Sequence, residues 1–346
     1  MTTMLSAQPL SASLALFIVS ACLIAYFGVR MTSIARELAV ATGMGEALMG
    51  AVFIGATTSL SGIIASATAA WNGEASLAVS NSLGGIAAQT LFLVIGDMFY
   101  RKANLEFAAA SVENMMMSVQ LMLLLCILLI AFTLPGAEFY GVHPASVVLL
   151  VAYLFTLKLL VDTHEKPMWL PRMARGTVGA AGKTRRVKTG QPKTRLFVDF
   201  GVCAAAVGLA GWMIAGSGMV IAARTGIADG IVGGIFIAVV TSLPELVIAI
   251  TAIRMGSLTL AVGDIVGGNA FDTLFIAVSD IFYRQGSIYA ATEPTEKLWL
   301  GTAMLMNTVL LLGLMYRERK GIANIGLESA LILVIYVSSV LYFLTQ

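Results

Sequence analysis

The feature that most constrains the fold is an internal duplication, in which residues 51–101 align without a gap with residues 234–284. About two residues in every five are identical between the two segments. A repeat of this length is typical of a chain whose two halves share one architecture, and it is too long for an array of short repeats. We therefore expect two copies of one structural unit.

The composition places these two copies in a membrane. Hydrophobic residues make up 58% of the chain and charged residues 12%, and the mean hydropathy is +0.90. A soluble domain carries about a quarter charged residues. The chain is therefore predicted to be an all-α integral membrane protein.

Apolar runs near the length of a spanning helix, about 20 residues, divide the chain into ten predicted spans. They cover residues 13–28, a span broken near 58–62, 75–99, 115–134, 145–161, 196–222, 230–253, 258–282, 298–315 and 325–343. Five spans in each half is an odd number, so the two copies must cross the membrane in opposite directions. The predicted fold is ten transmembrane helices arranged as two inverted five-helix repeats.

The domain organisation follows from one polar segment in the middle of the chain. Residues 162–195 are rich in Lys and Arg, and they separate a first repeat, residues 1–161, from a second, residues 196–346. Basic loops are retained on the cytoplasmic side, so this linker is predicted to be cytoplasmic. Both termini would then lie outside the cytoplasm, and the expected location is the plasma (inner) membrane.

The candidate site lies in residues 241–272, where acids occur in apolar surroundings. Glu245 follows Pro244, which removes a backbone donor and predicts an unwound helix at that point. Asp264, Gly268 and Asp272 recur every four residues and therefore share one face of the next helix. An acid within a membrane span is first a functional hypothesis, and we expect Glu245 and Asp272 to lie close together.

These side chains offer only oxygen ligands, which suit Ca²⁺ or Na⁺ and not the softer metals. A buried acid pair that stays protonated for structural reasons is the alternative for Glu245 and Asp272. Asp264 is either a further ligand or a hydrogen-bonding group within its own helix. Two more acids, Asp97 and Asp280, precede Arg101 and Arg284 by four residues and are predicted to be interfacial anchors at helix ends.

The sequence Thr-Ser-Leu-Pro-Glu at residues 241–245, with Gly-Asp-Ile-Val-Gly-Gly-Asn-Ala-Phe-Asp at 263–272, resembles the second α-repeat of the sodium/calcium exchanger (calcium/cation antiporter) superfamily. The resemblance implies ten helices in two inverted halves, with ions bound midway between the repeats. Carried over by position, it implies the following ion ligands: Thr58, Ser59, Thr241, Ser242, Glu245 and Asp272.

The first copy departs from the family pattern. Gly62 stands where the family has a Glu, Ser61 replaces its Pro, and Gln89 stands at the position of an Asn ligand. The small hydroxyl position of each repeat is also a glycine, Gly85 and Gly268. The chain thus resembles a divergent prokaryotic member with a degenerate first repeat, in which Gln89 is a candidate ligand.

The resulting hypothesis is a secondary antiporter that exchanges Ca²⁺, or a related cation, for Na⁺ or H⁺ by alternating access. A monovalent cation/proton exchanger that has lost calcium transport is a second hypothesis, and a non-transporting membrane scaffold is a third. No nucleophile–base pair or nucleotide motif indicates an enzyme. We expect no cofactor and no nucleic acid, with inorganic cations and the bilayer as partners; a homo-oligomer stays an open alternative.

Overall fold

The computed structural model describes residues 9–42, 55–100, 103–134, 141–165, 192–318 and 326–345. Within these ranges the chain is helical, and no strand occurs. The fold class expected from the duplication and the composition, an all-α membrane protein, is confirmed.

The helices are numbered in chain order. They are α1 Leu10–Thr42, α2 Gly55–Thr58, α3 Leu60–Trp71, α4 Ala75–Phe99, α5 Leu105–Ala109, α6 Val112–Thr133, α7 Pro144–Glu165, α8 Lys193–Thr225, α9 Asp229–Ile231, α10 Ala238–Thr241, α11 Leu243–Arg254, α12 Leu258–Asp272, α13 Leu274–Phe282, α14 Pro294–Tyr316 and α15 Leu327–Leu344. A π-helical turn, Val232–Ile237, joins α9 to α10.

Among the described residues, eight helices are long and apolar enough to cross a membrane, or nine if the bent segment from α9 to α11 is one span. The remaining predicted span is represented by α3, an apolar helix of 12 residues. Ten spans remains a prediction, because residues 43–54 before α2 lie outside the described ranges.

Several predicted boundaries were too narrow. Helix α1 runs from Leu10 to Thr42, well beyond the predicted span of residues 13–28. At the linker, α7 reaches Glu165 and α8 begins at Lys193. The basic residues of 166–191, and those at positions 101, 102, 319 and 320, lie outside the described residues.

Burial separates central from peripheral helices. The central window of the Ala75–Phe99 span is 89% buried, and that of Leu258–Phe282 is 72% buried, whereas that of Leu10–Leu38 is only 22% buried. In a membrane the exposed apolar faces of the peripheral helices meet lipid. The duplicated segments therefore form the centre of the bundle, where the candidate acids lie.

The packing contacts between the two halves occur at equivalent positions of the duplication. A Cβ atom on Gly28 of α1 would lie 2.5 Å from Cγ of Pro244. At the matching position of the second half, a Cβ on Gly211 of α8 would lie 2.6 Å from the carbonyl oxygen of Ser61. Each glycine lets a peripheral helix approach the broken helix of the opposite half. This reciprocity is the signature of two related units packed about an approximate two-fold axis.

Asp97 and Asp280 correct an expectation. Both are fully buried, so neither is an interfacial anchor. Asp97 Oδ2 accepts a hydrogen bond from the backbone of Gly326 at 3.1 Å, and Asp280 Oδ2 accepts one from the backbone of His143 at 2.7 Å. Each acid thus binds the segment that starts the last helix of the opposite half. The spacing of four residues misled the prediction because it reports only local neighbours.

Candidate ion-binding site

Two broken helices define the site. The helical backbone is interrupted at Ser59, between α2 and α3, and at Ser242, between α10 and α11. The two serines have similar dihedral angles, with φ −80° and ψ 0° at Ser59 and φ −94° and ψ 6° at Ser242. In the second half the helix axes bend by 47° at this point. The duplicated positions therefore keep the same backbone irregularity.

Pro244 leaves the carbonyl of Val240 without its usual helical donor, because proline has no N–H. The carbonyl of Thr241 accepts a hydrogen bond from the Ser61 hydroxyl at 3.2 Å, so the first half supports the break in the second. Irregular backbone is stable at membrane depth only when it is enclosed by protein in this way.

Asp272, at the C-terminal end of α12, accepts a side-chain hydrogen bond at each of its carboxylate oxygens. Its Oδ1 accepts a hydrogen bond from the Ser59 hydroxyl at 2.6 Å, and its Oδ2 accepts one from Nε2 of Gln89 at 2.6 Å. The same Gln89 nitrogen lies 3.2 Å from the Ser242 hydroxyl. Residues predicted as ligands from both halves therefore meet around one carboxylate.

Glu245, in the first turn of α11, is 2% exposed, and its Oε2 has no hydrogen-bond partner in the described part of the chain. Its carboxyl group interacts electrostatically with Asp272 and also interacts with the Thr58 hydroxyl. Neither acid forms an ion pair with a Lys or Arg among the described residues. Two adjacent carboxyl groups without a counter-charge attract a cation.

Gln89 adds a second acceptor that lacks a donor. Its Nε2 is used by Asp272, while its Oε1 is buried and has no partner within the described ranges. A Cβ atom on Gly268 would lie 3.5 Å from that oxygen, and one on Gly85 would lie 3.9 Å from Oδ2 of Asp272. The two glycines therefore flank the polar cluster and keep side chains out of it.

Asp264 lies on α12 two turns before Asp272. Its Oδ2 is buried and lacks a hydrogen-bond partner among the described residues. Its charge interacts with that of Glu245 and with that of Arg36 of α1. Asp264 is therefore electrostatically linked to the site and to a basic residue of the first half.

The threonine hydroxyls have partners in their own helices. Thr58 donates to the carbonyl of Gly55 at 3.0 Å, and Thr241 donates to the carbonyl of Ile237 at 3.0 Å. Each hydroxyl hydrogen is thereby turned toward the helix, and the oxygen keeps lone pairs for a cation. The carbonyl of Ala238, the repeat equivalent of Gly55, also lies 3.2 Å from the Thr241 hydroxyl, so this contact recurs in both halves.

Sequence reasoning missed three contributors. Ser82 donates from its hydroxyl to the carbonyl of Asp272 at 2.7 Å, and Asn81 accepts from the Thr241 hydroxyl at 3.4 Å. Phe275 fills the space beside Gly62, where an added Cβ would lie 2.4 Å from Cε2 of the ring. The duplication could have identified Asn81, because it aligns with Asp264. Nothing in the sequence marked Phe275.

In the described part of the chain, no group of three or more His, Cys, Asp or Glu side chains could hold a metal ion. The acids of the site are instead combined with serine, threonine and glutamine oxygens from four helical segments. Such a mixed set of oxygens is suited to an ion that enters and leaves.

Comparisons with known proteins identify the family to which the chain belongs. The sequence model of the family described as sodium/calcium exchanger protein matches residues 12–161 and again residues 196–345. The putative antiporter CaxA of Alkalimonas amylolytica is 27% identical over 274 residues, covering 79% of this chain and 80% of that protein. The sodium/calcium exchanger MaX1 of Methanosarcina acetivorans is 41% identical over 59 residues, 17% of each chain.

Two solved structures share the fold. The sodium-calcium exchanger NCX_Mj, soaked with Na⁺ and Sr²⁺, superimposes with a TM-score of 0.58 at 18% identity, covering 96% of this chain and 99% of that one. Native YfkE superimposes with a TM-score of 0.60 at 17% identity and covers both chains completely. Because the family match spans both halves, this chain belongs to the sodium/calcium exchanger protein family, a family of multi-pass membrane transporters.

Proposed function

We propose that the protein is a secondary antiporter that exchanges Ca²⁺, or a related cation, for Na⁺ or H⁺ by alternating access. The observation that carries this proposal is a pair of buried acceptor oxygens in the site that lack a donor in the described part of the chain. They are Glu245 Oε2 and Gln89 Oε1.

Unsatisfied acceptors next to carboxyl groups need a positive partner. A buried polar atom without a hydrogen bond costs about 1–3 kcal/mol, and an unpaired charge costs more. Carboxylate, hydroxyl and amide oxygens are ligands of hard cations. In the proposal, Glu245 and Asp272 provide charge, and Ser59, Ser242 and Gln89 complete the shell.

The position between the halves supports alternating access. Asp272 of the second half is bound by Ser59 and Gln89 of the first. A site shared by two inverted repeats can be exposed to either side when one repeat moves against the other. The names of two relatives, an antiporter and a sodium/calcium exchanger, favour the same kind of exchange.

The number of acids limits the ions that the site can hold. With Glu245 and Asp272 both ionised, one divalent ion or two monovalent ions restores neutrality. A third monovalent ion would leave an uncompensated charge in a medium of low dielectric constant. We therefore propose electroneutral exchange of two monovalent ions for one divalent ion.

The proposed setting is the plasma (inner) membrane, with the basic linker in the cytoplasm and both termini outside it, as the distribution of Lys and Arg favours. Inorganic cations and the lipid bilayer are the proposed partners.

The decisive experiment measures Ca²⁺ uptake into vesicles that contain the purified protein. One set of vesicles is loaded with Na⁺, a second is given an acid pulse, and a third has neither gradient. Uptake in the first or second set identifies the counter-ion. No uptake in any set contradicts the proposed calcium antiport.

A monovalent cation/proton exchanger is the second candidate, and one observation favours it. Gly62 and Phe275 remove both the acid of the first half and the space for it. In that case Na⁺ gradients would move H⁺ in the same vesicles without Ca²⁺ movement. A non-transporting scaffold of the same fold would move neither ion.

A further inference from the structure

A second group of buried acids lies away from the ion site, where the corner between α4 and α5 meets the start of α15. We call Asp97, Glu106 and Glu328 the acidic corner. Asp97 Oδ1 accepts a hydrogen bond from the backbone of Leu105 at 2.7 Å, and its Oδ2 accepts one from Gly326 at 3.1 Å. Both oxygens of Asp97 are therefore occupied by backbone donors.

Glu106 and Glu328 are not satisfied in the same way. Glu106 Oε1 accepts a hydrogen bond from Ser329 at 3.0 Å, but Glu106 Oε2 and Glu328 Oε2 are buried and lack partners among the described residues. Glu106 is 2% exposed and Glu328 is 8% exposed. Two buried carboxyl oxygens without a donor each need a hydrogen-bond donor or a positive partner.

The two oxygens point into the same small volume. A Cβ atom built on Gly326 would lie 3.1 Å from Glu328 Oε2, 3.3 Å from Glu106 Oε2 and 3.3 Å from Nδ2 of Asn104, which donates to the carbonyl of Glu318. Gly313 of α14 leaves room for the Glu328 chain, since a Cβ there would lie 2.6 Å from its Cγ. The glycines thus let the two acids converge.

The opposite end of the molecule provides a natural comparison, because the duplication relates it to the acidic corner. There Asp280 accepts from the backbone of His143 at 2.7 Å and from the Ser146 hydroxyl at 2.7 Å. Ser146 in turn contacts the hydroxyl of Tyr289 at 2.8 Å. Tyr289 occupies the repeat position of Glu106, and Ala145 that of Glu328. The backbone contact with the buried Asp is retained, while these two acids occur at one end only.

The charges around Glu106 disfavour its ionised form. Burial, and then the charge of Asp97, raise the pKa of Glu106 to about 7, with Glu328 adding to the effect. The guanidinium of Arg317, at the end of α14, lies over the ring of Phe107 at 5.3 Å from its centroid. Helix α12 also packs against α5, and its acidic residues are Asp264 and Asp272 of the ion site.

We propose that Glu106 and Glu328 form a proton-binding carboxyl pair, separate from the ion site, that holds the start of α15 against the corner after α4. One proton shared between the two Oε2 atoms satisfies both of them. Ca²⁺ takes about six to eight oxygen ligands, whereas a proton needs only the two oxygens of this pair. Loss of the proton leaves two carboxylates close to one point, and they repel each other.

The expected pH dependence has a definite sign. A carboxyl group whose pKa is higher in the folded arrangement stabilises that arrangement when protonated, and the contribution is lost as pH rises toward the folded value. Opening of the corner should therefore increase by up to about tenfold for each pH unit between about pH 5 and about pH 7, and then level off. The predicted orientation places this corner on the cytoplasmic side.

The test is hydrogen exchange of the full-length protein in detergent, followed by mass spectrometry of peptides that span residues 326–332. Protection is expressed relative to the intrinsic exchange rate, so that the chemical effect of pH is removed. We expect wild-type protection to fall about ten- to a hundredfold from about pH 5 to about pH 7. In Glu106→Gln the protection should be nearly independent of pH.

Two further variants make the test specific. Tyr289→Phe changes the matching position at the other end and should keep the wild-type pH dependence of residues 326–332. Glu106→Tyr combined with Glu328→Ala copies the neutral end and provides a second route if Glu106→Gln does not fold. Wild-type protection that is equal at both pH values, or a Glu106→Gln protein that retains the full pH dependence, would overturn the proposal. Both readouts are independent of ion transport.

Discussion

The two halves of the ion site have the same backbone conformation at the helix break but differ in charge. Ser59 and Ser242 interrupt their helices with nearly the same dihedral angles, although only the second half has a proline two residues later. The first half has Ser61 at that position, and Gly62 in place of Glu245. The broken helix is therefore a property of the packing between the repeats, and the acid can be lost without it.

The position of the missing acid in the first half, Gly62, has no space for a larger side chain. The ring of Phe275, from the second half, lies directly over Gly62. An apolar ring at this point leaves no room for a carboxylate or its hydration. The difference teaches that the first half provides structural support and neutral oxygens, while the second half provides the charge.

The largest effect is expected when the charged half loses a carboxylate. Asp272→Asn and Glu245→Gln should each lower cation exchange at least about 100-fold, because an amide cannot compensate a cation in a medium of low dielectric constant. Initial rates of uptake in vesicles with equal protein content would measure this.

The matched control is Gln89→Asn, the same side-chain type at the first-half position that aligns with Asp272. It should retain exchange within about tenfold, because it removes no charge. Wild-type rates in both acid variants would contradict the assignment of Glu245 and Asp272. If Gln89→Asn lowered exchange as much as Asp272→Asn, the second half would not be the main source of charge, and the first half would do more than provide neutral oxygens and structural support.

The sequence predicted the duplication, the membrane class and the residues that gather at the site, because charge, hydropathy and periodicity are local properties. It did not predict the ring over Gly62, since the volume at one position is filled by a residue from the other half. The prediction that Asp97 and Asp280 are interfacial anchors was wrong for a related reason. Their partners, Gly326 and His143, are distant in sequence, whereas spacing suggested nearby arginines.

The second prediction restores an acid to the first half. Gly62→Glu alone should destabilise the protein by about 1–3 kcal/mol, because its side chain collides with the Phe275 ring. Combined with Phe275→Ala, the glutamate has space and adds a third charge to the site. Exchange by this double variant should then depend on the membrane potential, by about 2.3 kcal/mol per 100 mV for each charge moved.

A potassium gradient with valinomycin clamps the potential of the vesicles for this measurement. Gly62→Gln with Phe275→Ala is the control, since it has the same shape and no added charge. We expect the exchange rates of that control and of the wild-type protein to be independent of the membrane potential. Potential-dependent exchange by the wild-type protein would instead refute electroneutral exchange and indicate a further charged ligand.

A smaller effect is expected at Pro244. Because the first half keeps its break with Ser61, Pro244→Ala should leave the helix broken and weaken cation affinity only about three- to tenfold. Part of this loss would come from the contact between Pro244 and Gly28 of α1. The concentration dependence of uptake provides the affinity. A tighter affinity, or a loss as large as that of Glu245→Gln, would contradict the similarity of the two breaks.

The smallest effect is expected at the pair of aligned positions Asp264 and Asn81. Asn81 donates to the carbonyl of Gly62 at 3.2 Å and to the Ser66 hydroxyl at 2.8 Å, so its role is structural. Asp264 has an orphaned oxygen, but its charge is partly balanced by Arg36. Asp264→Asn should therefore lower cation affinity only about two- to threefold, since it makes the second half resemble the first without removing a central acid.

Arg36→Gln distinguishes an electrostatic role of Asp264 from direct ligation of the ion. Without the guanidinium, the field of Asp264 at Glu245 is less compensated, so Arg36→Gln should raise cation affinity by about the factor that Asp264→Asn lowers it. In the double variant both charges are gone, and the affinity should return close to the wild-type value. Titration of uptake against cation concentration for all four proteins completes this cycle. If Asp264→Asn instead abolishes exchange, and does so with Arg36 present or absent, then Asp264 is a direct ligand and the charge of the second half is three and not two.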